Sequence, residues 1–180
     1  EAVPRIAHSK LPSIENRPAQ IRQRSERGHW EMDLIIGKAE TSHVLLTLTE
    51  RYSRQELIFK LPNRKAATIR GVFDRLERQH KDFSQRFKSL TTDNGSEFMG
   101  YDKLCRSIHG GSRFQVWYCH SYAAWEKGSV ENHNRMIRRF FPKGTDFSKI
   151  SKKRKAAVQD WMNNYPREVL QWQTPNEAAA

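Results

Sequence analysis

Cysteine is scarce in this chain: Cys105 and Cys119 are the only two among 180 residues. Two thiols make no disulfide scaffold and are compatible with a reducing compartment. With His109 and His120 they match no familiar zinc spacing. Cys105 also falls on the apolar side of a predicted helix, so packing is the expected use of these thiols. Long apolar runs are missing as well. No stretch approaches the roughly 18 to 20 residues of a membrane span, and residues 1 to 29 lack the apolar centre of a signal peptide. No membrane partner is expected, and the chain reads as soluble and cytoplasmic. Acid is the third shortage, with 20 Asp plus Glu set against 32 Lys plus Arg, a formal charge of +12. Such an excess favours a polyanion, because neutralised phosphates release condensed counterions. By itself it also fits a basic solvated surface, or an acidic-membrane binder without an obvious amphipathic anchor.

What is present excludes disorder throughout. Although only 37% of residues are hydrophobic, 5 Trp and 9 Phe supply large surfaces to bury. The length suits one domain with its own core. Residues 1 to 28 are rich in Arg, Lys, Pro and Ser without sustained periodicity, and read as a basic arm or linker. The chain begins without Met, which suggests a processed or excised piece.

From Trp30 onward, Trp30, Met32, Leu34 and Ile36 alternate with Glu31, Asp33 and Ile35, as a strand with one mostly buried face requires. Asp33 then points away from the apolar row. Strands are predicted at 43–49 and 55–61, joined by Arg51-Tyr52-Ser53-Arg54, completing an antiparallel meander. Ile69, Val72, Phe73 and Leu76 mark a helix near 64–80 that Asn63 can cap. A short buried strand at 89–92 places Asp93 at its carboxyl end. A helix carrying Phe98, Tyr101, Leu104, Cys105 and Ile108 follows, then a fifth strand at 115–118 beyond Gly110-Gly111. Residues 129–141 read as a helix with Val130, Ile137, Phe140 and Phe141 toward the core. Glu131, Arg135 and Arg138 share another of its faces. A last helix carries Val158, Trp161, Met162 and Tyr165 and stops before Pro166. Three strands followed by alternating helices and strands give a mixed α/β sheet.

Asp33, Asp93 and Glu131 thus lie on three separate elements. Phosphodiesters resist attack because negative charge accumulates, and divalent cations held by hard oxygen ligands relieve it. Singly, each acid is more simply a cap, a turn former or a surface charge. Their ordered combination in a basic chain points to metal-dependent chemistry on nucleic acid.

The motifs Gly28-His29-Trp30-Glu31-Met32-Asp33-Leu34-Ile35-Ile36-Gly37-Lys38, Thr47-Leu48-Thr49-Glu50-Arg51, Thr92-Asp93-Asn94-Gly95-Ser96-Glu97-Phe98 and Trp125-Glu126-Lys127-Gly128-Ser129-Val130-Glu131-Asn132 resemble those of DDE transposases of the insertion-sequence-thirty family. Arg138-Arg139-Phe140-Phe141-Pro142-Lys143-Gly144-Thr145-Asp146-Phe147 extends the likeness, which covers most of residues 25 to 177. The resemblance implies an RNase H-like α/β fold, a mixed five-stranded sheet flanked by helices. Residues 29–180 would then form an integrase-like catalytic core. It further implies that Asp33, Asp93 and Glu131 are a catalytic triad binding two Mg²⁺ or Mn²⁺ ions. Arg138 would contact DNA near the scissile phosphate, joined by Arg135, Lys127 and Asn132. The expected activity is cleavage at transposon ends followed by strand transfer into target DNA. The expected setting is a homo-oligomer working in the cytoplasm, associated with the nucleoid, and the full protein is expected to carry a separate helix-turn-helix module.

Other roles stay open at this stage. Glu31 either hydrogen-bonds a neighbouring base or stays exposed, and Glu97 favours the following helix's N-terminus. Asn94 and Asn132 either orient ligands or DNA or serve turns and caps. Trp125 is a buried anchor or a base-stacking platform, and Lys152-Lys153-Arg154-Lys155 a solvated helix start or a phosphate patch. One departure from the family stands out: 37 residues separate Asp93 from Glu131, more than in many relatives, and Ser107–Arg113 is the natural place for the excess. A related nuclease without strand transfer, or a domesticated DNA-binding domain, would share the same motifs.

Overall fold

The computed structural model describes residues 11–95, 98, 100–120, 123 and 126–180. Trp125, Glu97 and Ser96, and with them the roles considered for Trp125 and Glu97, lie outside the described residues. Five strands form one sheet: β1 (His29–Ile36), β2 (Val44–Glu50), β3 (Glu56–Leu61), β4 (Ser89–Thr92) and β5 (Gln115–Tyr118), in the order β3-β2-β1-β4-β5. The first three are an antiparallel meander, whereas β4 and β5 run parallel to β1. Seven helices surround them among the described residues: α1 (Ala19–Gln23), α2 (Ala66–Gln79), α3 (Phe83–Arg86), α4 (Tyr101–Cys105), α5 (Val130–Phe140), α6 (Lys152–Asn164) and α7 (Pro175–Ala179).

The strands expected from alternation are present, but β1 is covered on both faces, not one. Trp30 and Met32 enter a core with Ile69, Val72, Phe73 and Leu76 of α2. On the opposite face Ile35 joins Ile137 of α5 and Val158 and Met162 of α6. β2, beside the central β1, is buried at all seven positions, as a strand sandwiched between helical layers must be. Acidic and polar residues on the second face are therefore buried and need partners, a demand that simple alternation does not signal.

The helices depart from expectation mainly at their ends. Asn63 does not cap α2, whose N-cap is Lys65; its side-chain oxygen instead accepts from Lys65 N and Thr68 Oγ1. The predicted helix spanning Phe98 to Ile108 is shortened to α4. Tyr165 falls just beyond α6 and is exposed. Residues 11–28 of the basic arm pack onto the sheet. Tyr118 N donates to Pro12 O, Ser13 bridges Tyr118, and Ile21 of α1 is buried.

Gly37 explains how the end of β1 meets the segment after α5. A Cβ there would lie 2.5 Å from Thr145 O and 2.6 Å from the Phe147 ring. Lys38 N donates to Thr145 O at 2.8 Å. Only glycine lets the two backbones approach this closely, and the contact holds the far end of α5 against β1.

Candidate active site

Parallel pairing of β1 with β4 matches Glu31 with Thr91. Carried two residues further, that register brings Asp33 level with Asp93, which follows the last residue of β4. Two adjacent carboxylates repel unless a cation lies between them, and here the cation is internal. Lys127 Nζ lies 3.3 Å from Asp33 Oδ1 and 3.4 Å from Asp93 Oδ2. Its side chain is only 2% exposed. Burial by itself would lower the ammonium pKa, but the charges of Asp33 and Asp93 outweigh it and leave the pKa raised.

Each aspartate is further oriented. Asp33 Oδ1 accepts from Leu34 N at 2.9 Å, and its Oδ2 from Asn134 Nδ2 at 2.7 Å. Asp93 Oδ1 accepts from Gly95 N at 2.9 Å, closing an Asx turn. The neighbouring Asn94 donates to Cys119 O at 2.6 Å while Cys119 N donates to Thr92 O. Asn94 therefore serves the turn, tying the Asp93 loop to the end of β5.

Glu131 is exposed in the first turn of α5. The structure brings Asp33 and Asp93 together, but does not gather the third acid: among the described residues no three His, Cys, Asp or Glu side chains are clustered closely enough to hold a metal ion. What it does fix is the helix that carries Glu131. Glu31, fully buried, points from β1 at the N-terminus of α5, where its Oε2 accepts from Ser129 N at 2.9 Å and Val130 N at 2.7 Å. A carboxylate at a helix N-terminus satisfies orphan N–H groups and meets the positive end of the helix dipole. Its other oxygen pairs with the buried Arg51, which also donates to Lys127 O and Ile21 O. One acid thereby sets the helix bearing Glu131 and, through Arg51, the backbone of Lys127.

One turn into α5, a second buried acid repeats the arrangement. Glu56 Oε2 receives His133 Nδ1 and Thr49 Oγ1, both at 2.7 Å. Burial pushes the Glu56 pKa up, and the His133 and Thr49 hydrogen bonds oppose the shift. At the other end, Arg138 donates to Ile36 O at 2.8 Å, so its guanidinium braces α5 against the end of β1. Asn132 and Arg135 are exposed on the same helix. Of the residues expected to meet DNA, Lys127 is the one placed inside, between the acids.

Sequence reasoning missed the roles of Lys127, Asn134, Arg51, His133 and Glu56. Two signals were available. Glu31 lies two residues before Asp33 and so on the same strand face, while Asn134 lies three after Glu131 and so on the same helix face.

The donor set fits a divalent cation. Asp33 and Asp93 offer hard oxygens and already share one positive charge. Two buried oxygens, Asn134 Oδ1 on the amide that donates to Asp33 and Thr92 Oγ1 next to Asp93, have no hydrogen-bond partner among the described residues. By contrast, Cys105 and Cys119 are buried thiols whose pKa values burial pushes up to about 11 and about 12, which makes them poor thiolate ligands.

Comparison with known proteins accords with this geometry. The chain is 36% identical over 171 residues to the transposase for insertion sequence element IS1086 of Cupriavidus metallidurans, covering 94% of this chain and 48% of that protein. It is 31% identical over 164 residues to the transposase InsI for insertion sequence element IS30C of Escherichia coli, covering 91% and 41%. The chain thus spans less than half the length of these relatives. In structure it resembles the catalytic core domain of BIV integrase, with a TM-score of 0.58 at 17% identity over 83% of this chain and 91% of that one. It also resembles a chain of the simian T-cell lymphotropic virus intasome in complex with PP2A regulatory subunit B56 gamma, with a TM-score of 0.63 at 12% identity over 85% and 54%. These two likenesses show the RNase H-like fold. The integrase core domain family matches residues 23–127, a span that holds Asp33 and Asp93 and ends four residues before Glu131, and the chain belongs to that family.

Proposed function

We propose that this chain is the catalytic core of a DNA transposase that cuts at the ends of an insertion sequence and joins them to target DNA. The observation that carries the reading is the pair Asp33 and Asp93, held side by side on neighbouring strands around one buried cation. Asp33, Asp93 and Glu131 would hold Mg²⁺ or Mn²⁺, two ions when DNA is bound. Bound there, such ions supply Lewis-acid polarisation of the phosphoryl group and a lowered pKa for the attacking water or hydroxyl. The protein's own part is positioning. Glu31 and Arg51 fix the N-terminus of α5, His133 and Glu56 fix its next turn, and Arg138 fixes its end, so that Glu131 is delivered to the side of the sheet where Asp33 and Asp93 lie. Asn132 and Arg135, exposed on α5, are the DNA contacts, and Arg138 offers its remaining N–H groups to a phosphate beside them. Arms of the same enzyme on two element ends would require more than one copy of the chain.

The test is incubation of the protein with labelled element-end duplex, target duplex and Mg²⁺. Joined products are the expected result; cleavage without joining would indicate a nuclease, and binding alone a domesticated domain. Asp33→Ala, Asp93→Ala and Glu131→Ala should each lower joining at least about a thousandfold while duplex binding persists. A Lewis-acid contribution of several kcal/mol converts at tenfold per 1.36 kcal/mol. Joining that survives all three substitutions would overturn the assignment of the acids.

A further inference from the structure

The segment between α4 and β5 forms a hairpin. Arg106 and Ser112 pair as an antiparallel bridge, closed by Ser107 N donating to Gly111 O at 3.0 Å. Gly110 and Gly111 turn the chain with φ of 94° and 71°, the left-handed region that glycine adopts without strain. Glu77 of α2 pins this hairpin, accepting from Ser107 Oγ and from Ile108 N. Between hairpin, α2 and α4 lies a cavity of about 650 Å³ whose lining includes Arg70, Arg78, Lys103 and Arg106. A neighbouring cavity of about 480 Å³ shares Arg78 and adds Lys81 and His109, so that the two form one trench.

The acids of these walls are already taken. Arg113, its side chain 1% exposed, donates to Asp74 at 2.6 Å and lies 3.5 Å from Glu77. It is also held by Leu104 O and by the rings of Phe73 and Phe114. Among the described residues, the salt bridges of the trench walls all belong to Arg113. Arg78, Lys103 and Arg106 are exposed and uncompensated there. The eight steps along α2 from Arg70 to Arg78 span about 12 Å, the rise of three to four phosphates on one DNA strand at about 3.4 Å each. The trench is separate from the acids. The hairpin leads into Gln115 at the start of β5, opposite Ser89 at the start of β4, whereas Asp93 follows the end of β4.

We propose that this trench is a second DNA-backbone site, which takes duplex phosphates away from the reacting strand; the proposal rests on the reading of the chain as a DNA-acting enzyme. Arg78, Lys103 and Arg106 donate to phosphate oxygens, and the hairpin holds Arg106 opposite α2. Because the contacts are to phosphate, the site is indifferent to sequence.

The experiment measures binding of the protein to a 40-base-pair duplex by fluorescence anisotropy across a salt series in EDTA, where no chemistry proceeds. Each phosphate contact contributes about −0.9 to the slope of log affinity against log salt. Arg78→Ala/Arg106→Ala should therefore flatten the slope by about 2 and weaken binding at every salt concentration. Lys152→Ala/Lys153→Ala removes the same charge from α6 on the opposite face and should change the slope less. Lys103→Ala alone should flatten it by about 1 and guards against a folding defect in the double variant, which a melting curve also checks. Equal flattening by the two double variants, which is the signature of net charge alone, overturns the proposal. So does an unchanged slope in the trench variants, which would leave the trench to an acidic protein surface. Failure of the unaltered protein to bind duplex at all would instead strike the transposase reading itself.

Discussion

Against the sheet face that carries Trp30 and Met32, α2 and α4 bring Ile69, Val72, Phe73, Leu76, Leu104 and Cys105, and Phe83, Phe87 and Phe114 complete an aromatic stack. Against the face that carries Glu31, Asp33 and Ile35, α5 and α6 bring a smaller apolar set led by Ile137, Val158 and Met162. The rest of that contact is directional: Glu31 to the N-terminus of α5, Glu56 to His133, Asn163 to both backbone groups of Glu56, and Asn134 to Asp33. Apolar burial is proportional to area and tolerates small shifts of a helix. Hydrogen bonds weaken steeply as their angle bends. The face whose helix carries Glu131 is thus fastened by the interactions that fix position, and the other face by those that supply bulk stability.

The largest expected effects separate these two means of fastening. Phe73→Ala, in the apolar face, should cost about 3 to 5 kcal/mol through cavity formation. Glu31→Ala should cost a similar amount, about 3 to 5 kcal/mol, because it leaves the buried Arg51 and two helix N–H groups without their partner. Urea unfolding would measure both. Divalent-ion affinity should tell them apart: under conditions where each variant is folded, Phe73→Ala should bind Mn²⁺ as the unaltered protein does, and Glu31→Ala about tenfold more weakly. If the two variants lost affinity alike, the division between the faces would be wrong.

A smaller effect is expected at Lys127, the internal cation of the polar face. Lys127→Met keeps the length and apolar stem but leaves Asp33 and Asp93 facing one another unneutralised. Losing hydrogen bonds to charged groups costs about 1.5 to 3 kcal/mol, which for a chain of this size lowers the melting temperature by roughly 3 to 12 °C. Added Mn²⁺ should then raise the melting temperature of the variant more than that of the unaltered protein, because the ion no longer competes with an ammonium. An ion-induced shift no larger than that of the unaltered protein would show that Lys127 does not stand in the ion's place.

The same contrast explains what could be read from the sequence. Residues that act through periodicity were legible: Ile69, Val72, Phe73 and Leu76 marked α2, and alternation from Trp30 marked β1 and placed Asp33 opposite the apolar row. Asp33 was legible on a strand and Asp93 at a strand's carboxyl end, whereas the parallel register of β1 and β4 that sets them level comes from the fold. The polar fastenings were not, because each joins residues far apart in the chain: 101 positions separate Asp33 from Asn134 and 77 separate Glu56 from His133. No local pattern encodes such a pair. Lys127 is expected from the sequence among the DNA contacts, because Lys is seldom buried unless paired, and its partners come from two distant segments, Asp33 from within β1 and Asp93 from just beyond β4.

The smallest effect concerns the segment that leads from β5 to α5. His120 is exposed, and its ring contacts Glu126 at 2.8 Å and Glu15 at 3.2 Å, while its backbone N–H also donates to Glu126. The hydrogen bond to Glu126, with that carboxylate's charge, raises the His120 pKa above its ordinary value of 6.5. A raised folded-state pKa means that the folded chain holds the proton more tightly than the unfolded one. The contribution to stability is then complete below 6.5 and is lost as pH rises through the folded-state value. The NMR titration of the His120 ring should have its midpoint above 6.5, and Glu126→Gln should move that midpoint down, with little change in global melting because the pair is solvated. A midpoint at or below 6.5 in the unaltered protein would remove His120 from the polar fastenings and leave the entry to α5 held from the sheet side alone, by Glu31 and Arg51.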